Sequence, residues 1–221
     1  MLIRLQSIKK HFKRLLIVCD MPSPARHSFE RQSMRAHALE EGARIYKGRA
    51  ILSERAQIVL HAALAFHVSA WQVYLKEIVN DFFQVVANPT HTQYSSLHLI
   101  ASNLSRSHAA KLNTPNWENS RQLLVETLSF DPYAFWVWSK RHWNAQMVQQ
   151  RLNEILKIRH SFAHGSSIPV YPWLIGPGGA ARLTCGNVRE THLLLANLVR
   201  STDKALHLHI QANYGVTAAW Y

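Results

Sequence analysis

Cysteine is nearly missing from this chain: Cys19 and Cys185 stand far apart and form no paired spacing. Neither a disulfide framework nor a thiolate zinc site can be built from them, and a reducing cytoplasm is the expected location. Long hydrophobic runs are missing as well. The best amino-terminal candidate, "LLIVC" at Leu15 to Cys19, is far shorter than the roughly 20 apolar residues of a membrane span and too short for a signal-peptide core. A soluble, intracellular protein is therefore expected. Acidic residues are scarce: 13 Asp and Glu face 25 Lys and Arg, a formal charge of +12 before any of the 14 histidines is counted. That balance calls for a polyanionic partner, and nucleic acid, an acidic protein and an anionic membrane surface all satisfy it. A phosphate-binding glycine loop is absent too, because the double glycine of "IGPGGAARLTCGN" lacks the lysine and hydroxyl residue of a Walker sequence.

What remains is helical. With 48% hydrophobic and 17% charged residues, the chain suits one globular domain with a short extension. Residues 1–49 hold much of the basic excess and read as one or two short helices around the turn signal "DMPSPA", either a basic extension or the first helix of the bundle. From Ser53, a plausible N-cap, Leu60, Leu64, Val68, Trp71, Leu75, Ile78, Phe82 and Val85 recur at steps of three and four until Asn88-Pro89. The single histidines of this helix, His61 and His67, are expected to be packed or half exposed. Another helix is expected within "TQYSSLHLIASNLSRSHAAKL", and a short one capped near Asn116. The aromatics of "DPYAFWVWSKRHWNAQ" have no period of two and read as a connector, with Trp136 and Trp138 in the core rather than stacking bases beside Lys140 and Arg141. Helices over about Asn144 to His164 and about Asn187 to Ala212 complete an all-α chain without repeats or strands.

The chemistry concentrates in "RLNEILKIRHSFAHG". At 100° per residue from Val148, Leu152 falls at about 40°, Ile155 at about 340° and Arg159 at about 20°, along the middle of the apolar stripe. A guanidinium keeps its charge there and needs an acidic partner, a cleft or an anionic ligand. His160 and His164, one turn apart, flank that direction, and Gly165 is the residue expected just past a helix end. Three readings of these groups stand side by side. They complement the carbonyls at the helix terminus. The histidines form a metal pair, although Ser161 stands where a zinc peptidase has glutamate and no third ligand is evident. Or they perform metal-free phosphoryl chemistry on RNA, with Arg159 on the phosphate and His164 moving the proton of the 2′-hydroxyl or the leaving oxygen.

The same run resembles the signature of HEPN-domain proteins of the RiboL-PSP branch, an arginine followed by a polar residue, three residues and a histidine, met by Arg159, His160 and His164. "SAWQVYLKEIVNDF", "NTPNWENSRQLLVETLSFD" and "VRETHLLLANLVRSTDKALHLHI" resemble the family's other segments, so the likeness spans residues 50–212, with 213–221 as a tail. It implies a helical bundle that forms a homodimer through the motif helices. It also implies a metal-independent endoribonuclease of toxin or abortive-infection type, without a cofactor, working on RNA by 2′-hydroxyl attack to a 2′,3′-cyclic phosphate. An antitoxin or regulatory protein is an implied partner, and a membrane is not. By the same resemblance Arg159, His160 and His164 are the site residues, with His160 orienting His164 or touching phosphate. Gln72 departs from the family, whose members often carry an acid there; Glu77 is a partial substitute. If that acid matters, the chain is instead a non-catalytic HEPN-like module that binds RNA or a protein.

Overall fold

The computed structural model describes residues 21–44, 52–87, 92–176 and 178–220. They form six α-helices: α1 (Pro24–Arg44), α2 (Leu52–Val85), α3 (Thr92–Ala110), α4 (Trp117–Leu128), α5 (Ala145–Ala163) and α6 (Cys185–Tyr214). The described residues contain no named strand, as the all-α reading requires. The basic stretch at 1–20 and the Asn88-Pro89 pair lie outside the described residues.

The central element is α2, which packs against each of the other five helices. Its expected stripe is the core: Leu64, Val68, Trp71, Leu75 and Ile78 are fully buried, and Leu60 and Phe82 nearly so. The helix is long and apolar enough in composition to cross a bilayer, yet half of that window is packed inside the bundle. It already includes Leu52, so Ser53 is a helical residue and not the cap.

Helix α1 belongs to the same core through Ala25, Phe29 and Ala36, and its first turn is fixed by buried acids. Ser23 caps it, its Oγ accepting the Arg26 N–H at 2.9 Å. The Ser23 N–H and hydroxyl both donate to Asp203 of α6, at 3.2 and 3.0 Å, and the Tyr74 hydroxyl donates to the same carboxylate at 2.9 Å. The Ala25 N–H donates to Asp81 of α2 at 2.8 Å. Two carboxylates thus face the positive end of one helix dipole. Burial pushes the Asp81 carboxyl up to about 6 despite the Ala25 hydrogen bond, and Glu77 and Asp203 push the same way. Burial raises Asp203 too, against its donors.

The connector ahead of α5 packs inward. Trp136 is fully buried, donates its indole N–H to Thr202 at 2.9 Å, and meets Trp71 and Trp117 edge to face. Trp138 and Trp143 exchange backbone hydrogen bonds around a 3₁₀ turn at Ser139–Arg141, which delivers Asn144 as the cap of α5. On the far side, Arg151 of α5 lies between the rings of Trp143 and Trp173, at 4.9 and 4.2 Å, while the Trp173 indole donates to Glu154 at 2.7 Å. These contacts hold α5 in place along its middle and leave its last turn to carry the motif.

Candidate functional site

The end of α5 is built by backbone geometry. His164 is the C-cap, and Gly165 follows at φ +64°, where a side chain would be strained. The Gly165 N–H bonds the Phe162 carbonyl at 3.2 Å and the Ser166 N–H bonds the Ser161 carbonyl at 2.8 Å, the two bonds of a Schellman closure. With those carbonyls satisfied from within the chain, the histidine side chains are free to face outward.

His160 and His164 are both exposed, and their ring centroids lie 4.2 Å apart. Arg159 is half-buried, with no hydrogen bond or ion pair among the described residues. Helical periodicity sets it at the centre of the stripe, but the buried face turns away in the last turn and a half. There Ile158 and Ser161 point into the bundle, while Arg159 borders solvent and Phe162 is 37% exposed. Phe162 rests on His61 of α2, rings 4.9 Å apart, which ties the motif turn to the central helix. The side of α5 that would seal Arg159 is therefore open. The end of α5 thus carries a fixed positive charge and two imidazoles, groups able to contact a phosphate and relay a proton.

Gln72 is half-buried and donates its amide N–H to the Leu112 carbonyl at 2.6 Å. A carboxylate could not make that bond at neutral pH. Glutamine here fastens the α3–α4 connector to α2.

A second polar cluster escaped the sequence reading. His67 is fully buried, and its Nε2 lies 2.9 Å from the Glu40 carboxylate of α1. His37 Nδ1 is 3.5 Å from the same oxygen, and His192 of α6 stands against both imidazoles. Burial lowers His67, partly opposed by Glu40, and pushes His192 down to about 4. For Glu40 burial acts upward, but the His67 hydrogen bond and the neighbouring imidazoles bring it below the ordinary carboxylate range. A signal did exist in the sequence, because His67 sits three residues after Leu64 and four before Trp71, on the buried face.

No curated protein and no solved structure matches the chain. The profile of the RiboL-PSP-HEPN family does match, over residues 37–207, from within α1 into α6 and across the whole of the Arg159 to His164 motif. That span covers well over half of the 221 residues and agrees with the all-α bundle, so the chain belongs to the RiboL-PSP-HEPN family, whose fold is associated with RNA cleavage or RNA binding.

Proposed function

We propose that this protein is a metal-independent endoribonuclease of the toxin or abortive-infection kind. The observation that carries the reading is the end of α5, where a half-buried Arg159, without an acidic partner among the described residues, shares one helix end with two exposed imidazoles in ring contact. In this reading Arg159 binds the scissile phosphate and supports the charge that builds on its oxygens. His164 takes the proton of the attacking 2′-hydroxyl or gives one to the leaving 5′-oxygen, and His160 orients it or adds a phosphate contact. The new O2′–P bond replaces the P–O5′ bond, leaving a 2′,3′-cyclic phosphate and a free 5′-hydroxyl.

A second copy of the chain completes the site. The open side of Arg159 and Phe162 faces the α5 of its partner, so that groups from both protomers line one cleft. RNA is drawn in by the +12 charge, and a regulatory or antitoxin protein restrains the enzyme in the cytoplasm. Gln72 favours a second reading, a non-catalytic module binding RNA or a protein, since its amide takes the place where relatives often carry an acid. End-group analysis of RNA incubated with the protein in EDTA separates the two. Fragments ending in cyclic phosphate support the nuclease, and intact RNA bound to a folded protein supports the binding module. Sedimentation as a monomer at micromolar concentration would remove the shared cleft.

A further inference from the structure

We propose that His37, His67 and His192, backed by Glu40, form a binding site for a first-row divalent cation, Zn²⁺ foremost, that fastens α1 to α2 and α6. The site is independent of the nuclease reading and lies outside the Arg159–His164 motif.

Three helices contribute to it: His37 and Glu40 one turn apart on α1, His67 at the middle of α2 and His192 in the first half of α6. One nitrogen from each of the three imidazoles lies within 4.8 Å of the others. A tetrahedral zinc with bonds of about 2.0–2.1 Å sets its nitrogen ligands roughly 3.3 Å apart, so modest ring rotations close the cluster on an ion. The side chains have reason to close. His67 Nδ1 and His192 Nδ1 are shielded from solvent and have no hydrogen-bond partner. Interiors seldom leave such atoms unpaired.

Glu40 supplies the supporting shell. With Nε2 of His67 donating to its carboxylate at 2.9 Å, Nδ1 is left as the lone-pair nitrogen, the atom that has no other partner. The same oxygen lies close enough to His37 Nδ1 to orient that ring as well. A carboxylate that fixes the tautomer of a ligating histidine is the usual second layer of a metal site. Three imidazoles suit zinc, nickel, cobalt or copper and do not suit the hard cations Mg²⁺ and Ca²⁺, which require oxygen ligands. His37 and His192 are half-buried, so an ion can reach the site from solvent without unfolding the bundle. Ligands drawn from three separate helices point to a structural role.

The test uses the full chain, stripped with a chelator, desalted and titrated with Zn²⁺ against a chromophoric competitor, with melting followed in parallel. The wild type should hold one Zn²⁺ per chain and gain roughly 5–10 °C in Tm when free Zn²⁺ is about a hundredfold above Kd. His37→Gln and His192→Gln, which leave the buried His67 in place, should each lose at least ~100-fold in zinc affinity while keeping the metal-free circular dichroism of the wild type. Glu40→Gln should lose roughly 10–100-fold. His160→Gln combined with His164→Gln controls for binding by the exposed pair and should retain the zinc. The proposal is overturned if the stripped wild type retains no Zn²⁺, if His37→Gln and His192→Gln bind it as tightly as wild type, or if the exposed-pair variant is the one that loses it.

Discussion

Asp81→Asn isolates the cost of holding α1 by a buried acid. Asp81 is 7% exposed and accepts the Ala25 N–H; asparagine keeps an oxygen for that bond and cannot ionise. Burial puts the folded carboxyl at about 6, against 3.8 for the ordinary group. Between those values the folded state holds a proton that the unfolded chain has released. The stabilising contribution of Asp81 is thus complete below about pH 4 and is lost as the pH rises through about 6. At about 1.4 kcal/mol per unit, the interval is worth up to about 3 kcal/mol. His192, held near 4 in the fold, works in the opposite sense, losing its contribution as the pH falls below about 6.5, but it is common to both proteins and cancels. Urea unfolding of wild type and Asp81→Asn, followed by tryptophan fluorescence from about pH 4 to about pH 7.5, reads the difference directly. The variant should gain on the wild type by ~2–3 kcal/mol across that range, most steeply around pH 5. A difference that stays constant with pH would refute the placement of Asp81 as a buried, raised acid.

Three further outcomes follow from the same geometry. Gly165→Ala forces a side chain into left-handed backbone at the end of α5 and should lower stability by ~1–2 kcal/mol, read as a fall of roughly 2–8 °C in Tm. Gln72→Glu removes the donor to the Leu112 carbonyl and should cost ~1–3 kcal/mol in urea unfolding at neutral pH; unchanged stability would show that this hydrogen bond is not what holds glutamine there. If Arg159 neutralises a phosphate, Arg159→Ala should flatten the plot of log affinity for single-stranded RNA against log salt by ~0.7, and an unaltered slope would remove that contact.

Most of the scaffold was legible because it rests on periodicity and punctuation. The three-and-four spacing from Leu60 to Phe82 marks α2, and Asn116, Asn144 and Gly165 mark ends that the backbone uses as caps or closures. The aromatic connector was readable only as packed, since its course depends on Thr202 and the Trp138–Trp143 pairing, which are tertiary facts. Arg159 shows the limit of a helical wheel. The angle was right, but a wheel assumes one buried face along the whole helix, and here the neighbours withdraw from that face before the last turn. The acids anchoring α1 and the histidine cluster were hidden for a different reason. Each joins residues far apart in sequence, and a polar residue on an apolar stripe does not disclose its partner.

The central claim, that the end of α5 is a ribonuclease site, is tested most directly by the cleavage of labelled RNA in EDTA by wild type, Arg159→Ala and His164→Ala. The temperature should lie well below the melting points of the metal-free proteins, with His37→Gln as a control for zinc removal. The account predicts cleavage by the wild type and by His37→Gln, and a loss of roughly a hundredfold or more in each α5 variant. Equal cleavage by wild type and both α5 variants, or none by a folded wild type, would contradict it.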